Sequence, residues 1–334
     1  MQTTIENTKN IFDEKGEVSF GGWSRTPLFV YNKESYQPQN KLVERDSYYI
    51  SNDRMGFYIS VETVSNEVSI KLALADFERG EIVRDYINRK VWLEALPSLP
   101  ESGKLGEFSY SDKRIALALT NTVEGRYIKC DFIDFNNFKN LYVKVLVKKT
   151  DGESMNTVAP FNDNPKCFFM KRFVPKFVAS GVVRIGGEDY SIDEESSSVY
   201  FDWSRFVLPR RQQYQTLAGS VIIDGHRFAV NLASKVGNNS KGSENCYFID
   251  NKLYKVGRLK VSGNDKSTDG EWLFHTAKGA LDLRFVPDRH DGKTLSCKCD
   301  KTTIVFGKLY GIIDDIDGTL ELDGERAHMI FGNL

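Results

Sequence analysis

Hydrophobicity alternates with a period of two along most of this chain, and the 3.6-residue period of an amphipathic helix is scarce. That contrast limits the fold more than any other feature, because successive side chains of a strand point to opposite faces and alternation marks a sheet with one buried face. In Leu141-Tyr142-Val143-Lys144-Val145-Leu146-Val147-Lys148 every odd position is aliphatic and two even positions are lysine. Residues 114–120 read the same way, and strands are also expected over 56–62, 67–77, 126–133 and 303–310. Gly186-Gly187, Asp224-Gly225, Asp250-Asn251 and Asp323-Gly324 separate alternating runs. Such pairs adopt the positive φ that tight hairpins need. Reversals this frequent suit antiparallel meanders that close into barrels or stack as sandwiches, and closure removes open edges.

With 334 residues the chain has the length of about two domains of roughly 150 residues. The polar passage 151–173, with Pro160, Asn162, Asn164 and Pro165, is the expected boundary. Trp23-Ser24-Arg25 recurs as Trp203-Ser204-Arg205, an echo about half a chain apart.

Lys and Arg number 45 against 46 Asp and Glu, a net charge of −1, so no global field favours nucleic acid or an anionic membrane. The start of the chain has no basic stretch followed by an apolar one, and no apolar run approaches the ~20 residues of a membrane span. A soluble cytoplasmic protein is expected. Five scattered cysteines are not the pattern of a disulfide-stapled domain. Cys297-Lys-Cys299 would place both thiols on one side of a strand, and no two of the four histidines stand at i, i+4. Neither a metal site nor a cofactor is expected. Nucleotide-binding and metalloprotease motifs are absent. Asp315-Ile316-Asp317-Gly318 imitates part of a calcium loop, but Gly324 stands where that loop needs Glu, so the segment reads as a turn. Asn238-Asn239-Ser240 matches a glycosylation sequon that carries no weight without a secretory signal.

The segment with most chemistry is Val199-Tyr200-Phe201-Asp202-Trp203-Ser204-Arg205-Phe206, where an aromatic run carries Asp, Trp and Arg. A partly buried guanidinium can orient a substrate oxygen beside an indole wall. The same residues could equally form a structural salt bridge closing a barrel end.

Together with Gly21-Gly22-Trp23-Ser24-Arg25-Thr26-Pro27-Leu28, Asp46 in Arg45-Asp46-Ser47-Tyr48-Tyr49, the glycine-rich hairpin Ser180 to Tyr190, Asn231-Leu232, Glu244-Asn245 and the run Phe248 to Lys255, this segment resembles the bacterial domain-of-unknown-function family numbered 2804. The likeness runs from about Gly16 to Arg326, departing from the family where it often has Trp-Asp-Tyr-Trp-Cys and glycines flanking Arg205. That family is similar to tandem lipocalin-like proteins, including carotenoid hydratases and cyclases. The resemblance implies an all-β fold of two consecutive lipocalin-like antiparallel barrels, here 1–165 and 166–334, with ~16 strands if each barrel has about eight.

Three functions remain open. The first is a barrel pocket for a small apolar or amphipathic molecule, with acid–base chemistry such as hydration, isomerisation or cyclisation. Its chemical groups would be Asp202, Glu244 and Arg205, and its lining Trp23, Arg25, Asp46, Tyr48, Trp203, Asn231, Asn245 and Tyr247. The second is a carbohydrate-active enzyme using Asp202 and Glu244 as a carboxylate pair. The third is a scaffold whose polar motifs only pair charges. His226 receives no role. Asp202, Arg205, Asn231 and Glu244 are expected to converge on one cavity in the second domain.

Overall fold

The run 141–148 forms the strand Lys139–Lys149, and its odd aliphatic residues Leu141, Val143, Val145 and Val147 are buried while its lysines face outward. In the computed structural model, which describes residues 2–333 apart from 92–97, 150, 162–163, 211, 238–239, 265–266, 278, 300–301 and 316–317, Gly106–Ser111, Ile115–Asn121 and Leu281–Pro287 alternate in the same way, whereas Val43–Ser51, Met55–Val64, Glu67–Asp76 and Ser198–Val207 are buried on both faces. Strands hold 66% of the residues and helix 2%, so the fold is all-β.

Three of the four turn pairs form hairpins. Gly186-Gly187 follows Asn164–Ile185, Asp224-Gly225 follows Gln213–Ile223, and Asp250-Asn251 follows Cys246–Ile249. Asp224 and Asp250 adopt φ of 50° and 53°. Asp323-Gly324 differs: it lies inside Gly318–Asn333, where the register steps from Leu309–Glu325 to Tyr310–Asp323 and leaves Gly324 as the extra residue of a bulge at φ 101°. The reversal comes earlier, where Asp315 pairs with Gly318. Ile316 and Asp317 of the turn expected from the sequence, Asn162 of the expected boundary and the sequon residues Asn238 and Asn239 lie outside the described residues.

Two large curled antiparallel sheets result. Along the hydrogen-bonded path of the first, Glu81–Val91, Glu67–Asp76, Met55–Val64 and Val43–Ser51 are followed by Ser198–Val207, Asn164–Ile185, Lys139–Lys149, Gly125–Asn136, Ile115–Asn121 and Gly106–Ser111. The second runs Lys252–Lys255, Cys246–Ile249, His226–Ser234, Gln213–Ile223, Gly318–Asn333, Thr302–Asp315, Leu281–Pro287, Trp272–Thr276 and Leu259–Ser262. Both follow one plan: four strands wind outward, the rest wind back, and the last pairs with the first. These paths contain ten and nine strands rather than eight each.

The change of sheet falls between Val207 and Gln213, not at residue 165. Residues 151–173, expected as the domain boundary, mostly form the paired strands Met155–Phe161 and the first half of Asn164–Ile185. The repeat is in the winding. The Trp-Ser-Arg echo falls twice within the first unit, on Gly22–Ser24 and Ser198–Val207, so it does not relate the units. A better internal match is glycine at the same place on each penultimate strand. Gly181 (φ 143°) and Gly311 (φ 129°) both sit four residues from the strand end, and a Cβ would meet the Lys144 or the Asp282 carbonyl at 2.1 Å. Only glycine permits so close an approach.

The sheets pack through one face of each. Tyr49, Phe173 and Tyr200 of the first meet Phe248, Phe306 and His328 of the second, with the His328 ring 4.2 Å from that of Tyr49. The first barrel's interior is a separate core that includes Tyr48, Phe201, Trp203 and Tyr31, and the second unit's holds Leu217, Tyr247, Trp272 and Met329.

Candidate functional site

Alternation along Ser198–Val207 divides the chemistry expected there between two places. Asp202 and Ser204 point toward the second sheet, while Trp203 and Arg205 point into the first barrel, because their parity differs. In the buried layer between sheets, Lys171 Nζ lies 2.8 Å from Asp202 Oδ2 and 2.5 Å from Glu244 Oε2 and donates to Asn231 Oδ1 at 2.8 Å. Asn231 Nδ2 donates to the Glu244 carboxylate at 2.8 Å, and the Ser204 hydroxyl donates to Asp202. Burial penalises the Lys171 charge, but Asp202 and Glu244 outweigh it and hold the ammonium above its ordinary pKa. Burial also opposes ionisation of Asp202, and Lys171 followed by Arg45 reverses that, leaving its carboxyl below the usual range. Beside this cluster Tyr200 Oη stands 2.6 Å from His328 Nε2. Burial, and then the Lys171 charge, push that imidazole down to about 3. Asp202, Asn231 and Glu244 thus meet around a lysine that was not expected, in the buried layer between the units rather than on a cavity of the second.

Arg205 belongs elsewhere. Its guanidinium lies 2.9 Å from Asp46 Oδ1 and 3.3 Å from Glu44 Oε1, donates to the Pro100 carbonyl at 2.7 Å, and stacks 4.2 Å over the Trp203 ring. Trp203 Nε1 also donates to that carbonyl, at 3.3 Å, and Tyr31 donates to Glu44 at 3.0 Å. Asp46 is raised by burial despite the opposing pull of Arg205. The segment after Pro100 is thereby tied across the end of the first barrel, where Arg126 donates to the Gly103 carbonyl at 2.5 Å and lies 4.2 Å over the Phe201 ring. Tyr48 donates to Asn121 inside the same barrel.

Two adjoining cavities open at this barrel mouth and share Pro27, Gly103, Lys104 and Arg172 in their walls. One, of about 250 Å³, has Phe29, Tyr31, Met170 and Trp203 as its apolar side. The other, of about 310 Å³, is bounded by Arg25, Leu105, Val123, Arg126, Lys149 and Val174. Trp23 and Asn245 line a different cavity of about 760 Å³ at the open edge of the second unit, beside Lys255. Lys255 donates to Ser243, Asn245 and Val256 oxygens, and burial pushes its pKa down to about 8. Arg25 is paired with Glu153 at 2.6 Å, and Tyr247 stacks on Tyr254 in the second core. The expected lining is therefore spread over four environments.

A family model described as a domain of unknown function, DUF2804, matches residues 2–324. This chain belongs to that family. Among curated proteins, none matches the sequence. Two solved structures share the DUF2804 chain's fold. One is a Nitrosomonas europaea protein assigned as AttH, at 10% identity and TM-score 0.53, covering 92% of this chain and 98% of its own. The other is kievitone hydratase from Nectria haematococca, at 13% identity and TM-score 0.53, covering 97% and 98%. Both are lipocalin-like tandem barrels. At such identities the likeness carries the fold alone.

Sequence reasoning missed Lys171, Arg172, Arg126 and Glu44 in this DUF2804 chain. A signal existed for the first two. Phe168-Phe169-Met170-Lys171-Arg172-Phe173 places two cations inside an apolar run, where a buried charge needs a partner. Reading the region as a boundary concealed it. The five cysteines are all buried and free, with Cys297 and Cys299 facing the same way. Among the described residues no three His, Cys, Asp or Glu side chains cluster as metal ligands, and no helix is long and apolar enough to cross a membrane.

Proposed function

We propose that the protein binds a small amphipathic molecule at the mouth of its first barrel. The observation that carries this reading is the pair of adjoining cavities, with an aromatic wall of Phe29, Tyr31 and Trp203 on one side and cationic groups on the other. Lipocalin-like barrels of this size hold one small ligand, and apolar pockets with a few convergent polar groups are the usual binding geometry.

Acid–base turnover has a weaker footing. Asp46, raised by burial, is the carboxyl suited to donate a proton, but it stands behind Arg205, which itself stands behind the Trp203 wall. The carbohydrate reading loses its support, since Asp202 and Glu244 clasp one buried ammonium instead of facing each other across an open cleft. Their geometry fits a structural clamp between sheets.

Hydrogen–deuterium exchange with the neutral amphiphile N-phenyl-1-naphthylamine tests the site. Slower exchange is expected at 101–104 and 122–126. Protection confined to 255–259, or none at saturating ligand, would overturn the reading.

A further inference from the structure

The barrel mouth holds more positive charge than its surroundings neutralise. The larger of its two cavities is walled by Arg25, Lys104, Arg126, Lys149 and Arg172, with no acidic residue among the described residues of its lining, while Glu101 lines the smaller one. The chain as a whole carries a net charge of only −1, so this excess is local. Two of these groups have known counterparts: Arg25 is bound to Glu153, and Arg126 reaches the Gly103 carbonyl and feels Asp46 from inside the barrel. Arg172 differs. It forms no ion pair among the described residues, and its Nε is buried with no hydrogen-bond partner. Its Nη1 lies near Gly103, where the loop crosses the mouth and where a Cβ would stand 3.3 Å away. Burial, and then the Arg126 charge, lower its pKa to about 10.

A guanidinium kept in a cavity beside a like charge costs free energy unless something else compensates it. Arginine presents a planar fork of donors that matches the two oxygens of a carboxylate. Met170, Trp203 and Phe29 line the smaller cavity together with Arg172 and suit an apolar body. Resting on the ligand-binding reading above, we propose that the ligand carries a carboxylate, held by Arg172 with Arg126 beside it, and that its apolar part lies against the Trp203 wall. Ligand charge then completes an arrangement that the chain leaves electrostatically unfinished, and Gly103 matters because a side chain there would crowd the Arg172 fork.

Isothermal titration with decanoate, 1-decanol and decyl phosphate tests this in the full chain and in Arg172→Met. Decanoate should bind the wild type at least tenfold tighter than decanol, and Arg172→Met should abolish that preference while leaving decanol affinity within twofold. Arg172→Met should melt no lower than the wild type without ligand, since it removes an unpartnered charge; a structural arginine would lower it. Arg172→Lys, which keeps the charge and loses the fork, should retain part of the preference. Equal affinity for decanoate and decanol would overturn the carboxylate while leaving the amphiphile reading intact. Tighter binding of decyl phosphate than of decanoate would overturn the choice of carboxylate. No binding of any of the three would overturn both readings.

Discussion

Lys171→Met isolates what the buried clamp contributes, because Met keeps the apolar stem and removes only the ammonium. In the wild type that ammonium lies 2.8 Å from Asp202 and 2.5 Å from Glu244, and only 3% of the lysine side chain is exposed. Without it two buried carboxylates lose their common cation, and removing one partner of such a set typically costs ~3–5 kcal/mol. An unfolding entropy of about 2.1 cal/mol/K per residue gives about 0.7 kcal/mol/K for 334 residues unfolding together, so the loss reads as ~4–7 °C in Tm. The pH dependence supplies a second sign. In the wild type the depressed Asp202 pKa contributes stability above the unfolded value of about 3.9, which is lost as pH falls through the folded value. In the variant burial of Asp202 is no longer offset by Lys171 and favours its protonation, so acidification from about pH 7 toward about pH 4 should raise the variant's stability and bring the two curves together. Adding Asp202→Asn and Glu244→Gln should recover most of the loss. Thermal melts followed by circular dichroism read all of this. A loss below ~1 kcal/mol, or curves that stay parallel across the pH range, would refute the clamp.

Gly311→Ala should destabilise by ~1–3 kcal/mol in urea unfolding, since it forces a left-handed φ and a carbonyl contact at 2.1 Å, and Gly181→Ala should behave alike. By NMR, His226, whose bond to Asp250 raises its pKa, should titrate above about pH 6.5, while His328 stays neutral through about pH 5. The stability tied to a neutral His328 is complete above about pH 6.5 and fades as pH falls toward about 3, so His328→Gln should flatten the acid limb of the stability curve. Ellman's reagent should leave the native thiols largely unreacted and titrate all five in guanidinium, since every cysteine is buried and burial pushes Cys130 and Cys246 up to about 12.

The all-β character and most hairpins were legible in the residues because they are local: alternation follows from the pleat, and Asp224-Gly225 or Gly186-Gly187 reverse a chain through their own φ preferences. Asp323-Gly324 carries the same preference, yet it became a bulge because pairing with Thr302–Asp315 continued past it. Parity was equally local, and it already separates Asp202 from Arg205 across one strand. What each face would meet was not. Asp202 finds Lys171, 31 positions back, and Arg205 finds Asp46, 159 positions back. Those meetings exist because Val43–Ser51 pairs with Ser198–Val207 at the middle of one curled sheet while the second sheet packs on its outside. The chain's local preferences therefore determined that polar side chains would stand on strands at fixed faces. Only strand pairing and sheet packing decided that one set became a buried clamp and the other the wall of a barrel, since both depend on contacts far apart in sequence.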